Sequence, residues 1–184
     1  MIDRFGVVGG ISNIAEYRMR NYIEEKKLRE VLKMLGGGFR RALDFGCGYG
    51  RLTMILAEHS LKAIGIDVNK EMIEMAKRVY DDDFPNVEFR VYDGAKIPYD
   101  NDFFDLTLSF TVLQHIDKNR AQLMREIKRV TSKYIILVER EDIIEEFLRM
   151  KGDFKLAWLF PRYLGKTFSS KYHGYYAIFS KDLE

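Results

Sequence analysis

Residues 44–50 read Asp44-Phe45-Gly46-Cys47-Gly48-Tyr49-Gly50, a carboxylate followed by glycines at alternate positions. Such a run lets the chain turn sharply and lets a ligand approach the backbone with no Cβ in the way. Two further acids follow: Asp67, seventeen residues past Gly50 and next to Val68, and Asp93, which precedes Gly94-Ala95. A carboxylate accepts hydrogen bonds from hydroxyl and amine groups and attracts an ammonium or sulfonium cation. The chemistry these residues offer is recognition of a ligand that carries hydroxyls, an amine and a positive centre.

Two common ligands of glycine loops fit this run poorly. A dinucleotide site needs G-x-G-x-x-G. Counted from Gly46 the third glycine position is Arg51, and counted from Gly48 it is Thr53. A phosphate-cradling P-loop needs a Gly-Lys-Ser/Thr ending, where this chain has Gly50-Arg51-Leu52. Asp44 is also a poor neighbour for pyrophosphate and a good one for a cation.

The elements that must hold these acids are legible from hydrophobic pattern. Arg41–Phe45, Lys62–Ile66, Val87–Tyr92, Asp105–Phe110 and Tyr134–Glu139 read as short strands, nearly all apolar. Arg51–His59, Lys70–Tyr80 and a segment from an Asp117 N-cap to about Val130 read as the helices between them, with a further helix over Ile143–Met150. Strand–helix alternation at this spacing predicts an α/β, Rossmann-like fold: a parallel sheet covered by helices on both faces. The three acids then sit at or beside the carboxyl ends of three successive strands, where ligands of such sheets bind. Asp67 is placed to accept both hydroxyls of a ribose, or else to cap the helix that follows. Asp93 is placed to meet an exocyclic amine, with the next backbone N–H groups facing ring nitrogens, or else to serve as a turn residue. At the ends of the chain, Ser12 or Asn13 is expected to cap a helix running to about Leu35 and stopped by Gly36-Gly37-Gly38. Thr167–Tyr172 and Tyr175–Ser180 flank His173-Gly174 as an antiparallel hairpin.

With these motifs in place, residues 40–140 resemble class I S-adenosylmethionine (SAM)-dependent methyltransferases of the small, single-domain type. The resemblance is carried by Asp44-x-Gly46-x-Gly48-x-Gly50, by Asp67, and by the run VYDGAKIPYDNDFFDLTLSFTVLQHI over Val91–Ile116. It implies a seven-stranded sheet of order 3-2-1-4-5-7-6 with strand 7 antiparallel. It implies SAM as cofactor and S-adenosylhomocysteine (SAH) as its product. By the same resemblance the Gly46–Gly48 backbone faces the methionine part of SAM, and Asp44 lies near its amine. Asp67, with Val68 beside it, holds the ribose, and Asp93 with Gly94-Ala95 holds the adenine. Phe110 lies near the sulfonium, and Cys47 packs the loop rather than acting as a nucleophile. The domain plan it implies is an N-terminal helix or lid over 1–38, a SAM-binding core over 39–140 and a substrate side over 141–184. Tyr17, Arg18, Arg20 and Tyr22 belong to that lid.

A sulfonium already presents an activated methyl group, so the protein mostly positions the acceptor and removes water. A base is needed only where the acceptor keeps its proton at neutral pH. His115, in Leu113-Gln114-His115-Ile116, is the weak candidate for that role; structural packing is its alternative. His173 in the hairpin turn reads as exposed, His59 as a dipole partner at a helix end. No metal site is assigned. Where methyltransferases of exocyclic base amines or glutamine amides carry Asn/Asp-Pro-Pro-Tyr, this chain reads Ser109-Phe110-Thr111-Val112. That disfavours those acceptors and leaves a small molecule as first expectation, with RNA or protein as alternatives. A catalytically silent binding or scaffold subunit is the rival from another class. Residues 154–179 hold nine aromatics among basic residues, which serve as a stacking surface, a small-molecule pocket or simply core.

Composition sets the frame. The 184 residues are 47% hydrophobic and carry a net charge of +2, which excludes intrinsic disorder and suits one domain. One cysteine excludes an intramolecular disulfide framework. The opening MIDRFGVVGG lacks the charged and apolar regions of a secretory leader, so a cytoplasmic location is expected. Residues 1–41 and 151–184 sum to +7 and residues 42–150 to −5. A basic rim about an acidic centre suits an anionic substrate, although scatter of surface charge gives the same totals.

Overall fold

The structure, a computed structural model, describes residues 14–80, 84–150, 152–162 and 174–181. The chain divides into two units, Met1–Gly36 and Gly37–Glu184. In the first, α1 spans Ile14–Met34. The Leu35 N–H donates to Val31 O and the Gly36 N–H to Lys33 O, which closes the helix one residue short of the expected end. The capping candidates Ser12 and Asn13 lie outside the described residues.

The second unit is built on a seven-stranded sheet. In chain order its elements are β1 (Phe39–Phe45), α2 (Arg51–Ala57), β2 (Ser60–Asp67), α3 (Lys70–Tyr80), β3 (Val87–Val91), β4 (Phe104–Phe110), a 3₁₀ turn (Leu113–His115), α4 (Arg120–Val130), β5 (Thr131–Glu139), α5 (Glu141–Arg149), β6 (Lys155–Pro161) and β7 (Tyr175–Ser180). The strand order is β3-β2-β1-β4-β5-β7-β6, as the family resemblance implies. The first five strands are parallel, and β7 runs antiparallel to both β5 and β6. The order reverses between β1 and β4, which opens a crevice at their carboxyl ends.

Apolar residues fill both faces of the sheet because both must be covered. On one face Leu43, Phe45, Ile66, Ile135 and Leu137 pack with Leu123, Met124 and Ile127 of α4 and Ile144 and Phe147 of α5. On the other, Ile73 and Ala76 of α3 pack with Val87 and Phe89 of β3. Gly65 of β2, paired with Asp44, lies where that second face meets the glycine loop. A Cβ there would lie 2.9 Å from Cys47 Sγ, Thr53 Oγ1 and Phe89 Cδ1, so no larger residue fits.

Two expectations change. Asp117 does not cap α4; the cap position is Asn119, at φ 65 and with no side-chain cap bond. The 3₁₀ turn takes up the residues after β4, and the chain reverses into α4 only at Asn119, a residue type that tolerates the left-handed region. The hairpin is also different. The antiparallel partner of β7 is Lys155–Pro161, with Leu159 opposite Ala177, and the Arg162 N–H donates to Gly174 O at 2.8 Å. His173-Gly174 is therefore not a two-residue turn between strands 6 and 7; Thr167–Tyr172 and His173 lie outside the described residues. β6 escapes pattern reading because it is the sheet edge, with Trp158 and Leu159 exposed and Pro161, which has no N–H to donate, tolerated at its end. Of the six described aromatics of the run, Phe154, Tyr176 and Phe179 are buried, Phe160 and Tyr175 are half-buried and Trp158 is exposed.

Candidate cofactor site at the carboxyl ends of the strands

The glycine run leaves β1 at Phe45 and is clamped to the end of the neighbouring strand. The Gly46 and Cys47 N–H groups both donate to Ile66 O, at 2.8 and 3.0 Å, and Gly50 N–H donates back to Cys47 O. Gly46 has φ 74, and a Cβ on it would fall 2.5 Å from a methyl of Val112, so glycine is required there on two counts. Gly48 differs: a Cβ on it would meet nothing within 4 Å. That open side is the place where a ligand can lie against the backbone.

Asp44, 2% exposed, accepts a hydrogen bond from Thr53 Oγ1 of α2 at 2.6 Å. Burial pushes its carboxyl up to about 6, against the pull of the Thr53 hydroxyl and the Arg51 charge, and the charge of Asp67 adds to the rise. An ammonium arriving here would restore the ionised form. Cys47 lies in the loop with its Sγ directed at Gly48 O, 3.5 Å away. Burial, together with Asp44 and Asp67, pushes its thiol far up, which removes the thiolate a nucleophile needs.

Asp67 ends β2 and reaches the glycine loop that leaves the neighbouring β1. Its Oδ2 accepts the Gly48 N–H and its Oδ1 the Asn69 N–H, both at 2.9 Å. It does not cap α3. That position belongs to Asn69, whose Oδ1 accepts from the Glu71 and Met72 N–H groups. Each Asp67 oxygen keeps acceptor capacity, as a carboxylate has about four lone-pair sites. Beside it Val68 is exposed and its methyl lies 3.2 Å from the Cβ position of Gly94, which joins the end of β2 to the turn after β3. Asp93 is exposed in that turn. Its Oδ1 accepts the Ala95 and Lys96 N–H groups at 2.8 and 3.0 Å, and these bonds hold its carboxyl below the usual range. The Ala95 N–H is thus committed to the turn rather than offered to a ring nitrogen, which corrects the role expected for it. Gln122 of α4 holds the Ala95 carbonyl at 3.1 Å.

The far wall follows β4. Phe110 is nearly buried, edge-on to Tyr176 with centroids 6.3 Å apart, and the Arg162 guanidinium lies 4.6 Å over its ring. Thr111 has φ 56, a rare and strained value for a β-branched residue. Such a residue persists only where its surroundings fix it. Here the fixing group is Glu139 at the end of β5. Its Oε1 accepts from Ser109 Oγ and from the Val112 and Leu113 N–H groups, and its Oε2 from the Gln114 N–H at 3.4 Å. No spacing rule points to Glu139 in the sequence; the only signal is a charged residue closing an otherwise apolar strand. His115 is exposed at the end of the 3₁₀ turn, 3.3 Å from Gln114 Nε2. Among the described residues no cluster of three or more His, Cys, Asp or Glu is placed to hold a metal ion.

The donors and acceptors fit a SAM-like ligand. There is a buried carboxylate for an ammonium, a half-exposed one for hydroxyls, and an exposed one beside an apolar Val68 for an aminated ring. In sequence and in fold the chain is similar to known methyltransferases. The ubiquinone biosynthesis O-methyltransferase of Coxiella burnetii is 26% identical over 96 residues, 52% of this chain and 40% of that protein. An uncharacterized methyltransferase of Bacillus subtilis is 27% identical over 115 residues, 59% of this chain and 45% of that one. The chain thus spans less than half the length of these curated relatives. The fold of magnesium protoporphyrin IX methyltransferase from Synechocystis PCC 6803, solved with bound SAM, superposes with a TM-score of 0.75 at 17% identity, covering 97% of this chain and 88% of that one. The methyltransferase-domain family matches residues 43–137, from β1 through most of β5, and the chain belongs to that family.

Proposed function

We propose that this chain binds SAM and transfers its methyl group to a small-molecule acceptor. The observation that carries the reading is the clasp of Gly48 by Asp67, which sets a hydroxyl-binding carboxylate beside an open stretch of glycine backbone at the switch point of the sheet. When bound, SAM supplies an activated methyl group for in-line displacement. The residues of the chain do the rest. Asp44 balances the methionine ammonium, and the Gly46–Gly48 backbone lies along the methionine. Asp67 accepts the ribose hydroxyls, with Val68 against the nucleoside. Asp93 accepts the exocyclic amine through Oδ2, and Phe110 walls the reacting centre from water.

A small-molecule acceptor is favoured over RNA because three of the six described aromatics of residues 154–179, Phe154, Tyr176 and Phe179, are spent on core packing, which leaves Trp158 as the one exposed ring among them for base stacking. The relatives named above for ubiquinone biosynthesis and for magnesium protoporphyrin IX point the same way. No residue is assigned as base: Glu139 and Asp44 are buried, and His115 stays the weak candidate, exposed at the end of the 3₁₀ turn. Among the described residues no helix is long and apolar enough to cross a membrane, and with a single cysteine the cytoplasm is the compartment we assign.

The test is calorimetric titration of the purified chain with SAM, SAH and NADH in turn. Micromolar binding of the two adenosyl ligands and none of NADH is the expected result. Failure of both adenosyl ligands to bind would overturn the reading and favour a silent subunit.

A further inference from the structure

Glu139 is 1% exposed and lies 25 residues or more along the chain from the groups it binds. Its carboxylate gathers three consecutive backbone N–H groups, Val112, Leu113 and Gln114, and the Ser109 hydroxyl. Val112, held at 2.8 Å, places its methyl groups directly over the Cα of Gly46. The strained Thr111 bridges the two ends of this segment, and its own N–H donates to Val138 O at 2.8 Å. One buried side chain therefore fixes both the exit of β4 and the roof of the glycine loop. A buried carboxylate is costly unless fully hydrogen-bonded, and here every bond it makes goes to this one segment. The neighbouring Arg140 does not neutralise it, being paired with Asp142 on the surface at 2.6 Å.

We propose that Glu139 is a positioning residue for methyl transfer, which acts through Val112–Gln114 to keep Phe110 and the glycine loop in the geometry that SAM and SAH require. The proposal rests on the SAM-binding reading above. It concerns a residue that touches neither the expected ligand contacts nor the acceptor, and that acts only through the segment it ties down.

The experiment uses the full chain, with SAH as probe, and the variants Glu139→Ala and Glu139→Gln. Glu139→Ala is expected to lower SAH affinity by about 10-fold, the scale set by loss of a buried hydrogen-bond partner. Glu139→Gln keeps one carbonyl oxygen for Val112 and Leu113, and should recover affinity to within about 3-fold of wild type. Native-state hydrogen exchange supplies a readout that general destabilisation would not mimic. In Glu139→Ala the Val112 and Leu113 amides should lose protection while those of β1 and β2 keep theirs. Uniform loss of protection across the sheet, or unchanged SAH affinity in Glu139→Ala, would overturn the proposal. If the alanine variant does not fold, a glutamine variant with full protection at Val112 but affinity lowered 10-fold would overturn it as well. Wild-type chain that binds no SAH would instead overturn the SAM-binding reading, so the two failures are distinct.

Discussion

The Gly48 amide donates to the carboxylate of Asp67 at 2.9 Å, a bond between the loop that leaves β1 and the last residue of β2. It gives Asp67 two duties, shaping the loop and accepting ligand hydroxyls. Replacing it by alanine removes both. Asp67→Ala should weaken SAH binding by roughly 1–3 kcal/mol, the range for a lost charged hydrogen-bond partner. Asp67→Asn keeps one oxygen and should fall between the two. Calorimetry with SAH measures both variants, and an alanine variant of unchanged affinity would remove Asp67 from the ribose.

Asp44 makes stability depend on pH in a direction opposite to most surface acids. Its folded carboxyl is pushed up to about 6 from an ordinary 3.8. A raised carboxyl stabilises the fold fully below its unfolded value, and that contribution is lost as pH rises from about 4 through 6. The whole swing is on the order of 3 kcal/mol. Asp44→Asn keeps an oxygen for Thr53 and removes the titration. Relative to wild type, the variant should therefore gain stability between pH 4.5 and 7.5. Urea unfolding of both proteins at the two pH values reads that difference, and a pH-independent gap between them would refute the assignment.

The same carboxylate links cofactor affinity to pH. An ammonium beside Asp44 favours its ionised form, so binding below pH 6 must release a proton. SAH affinity should fall as pH drops below 6, approaching about tenfold per unit, and should be nearly flat over this range in Asp44→Asn. Calorimetry in buffers of different ionisation enthalpy counts the proton directly. A wild-type profile as flat as that of the variant would place the ammonium elsewhere.

How far the sequence discloses this molecule depends on the range of the interactions involved. β1 to β5 are legible to within three residues at each end because a strand buried on both faces is an apolar run. Their order in the sheet is not legible from pattern alone and came from the resemblance carried by the glycine run and its acids. β6 is missed because an edge strand has no obligatory apolar pattern, and Lys155–Pro161 is half exposed. Asp117 misleads because the 3₁₀ turn before it is held by Glu139, a partner more than twenty residues away. Local rules do not see such a contact. The acids Asp44, Asp67 and Asp93 are legible as a set, since strand ends converge in this topology. What each carboxylate holds in the folded chain is decided by neighbours from other elements: Thr53 for Asp44 and Gly48 for Asp67.

Cys47 should be chemically quiet. Its sulfur sits 2.9 Å from the Cβ position of Gly65, and burial beside Asp44 and Asp67 suppresses the thiolate. Alkylation by iodoacetamide at pH 7.5 should be at least tenfold slower in the native chain than in the urea-unfolded one, since the thiolate is the reactive form. Equal rates would mean that the loop opens freely, which the Ile66 and Asp67 bonds to it oppose.

Gly46 and Val112 are a close steric pair in the site and allow a double-mutant test. Gly46→Ala meets two obstacles, a positive φ of 74 and methyl groups at 2.5 and 2.6 Å. The backbone part costs about 1 kcal/mol or more, and the clash adds to it. Val112→Ala alone leaves a small void and should cost about 1–2 kcal/mol. Combined, the two substitutions should destabilise by less than the sum of the singles, because the alanine at 112 removes the two methyl contacts and leaves the backbone cost and a 3.1 Å contact with the Cβ of residue 112. Chemical unfolding of the four proteins gives the coupling energy directly. Additive effects would show that Val112 does not rest on the glycine loop, and would cut the path by which Glu139 reaches it.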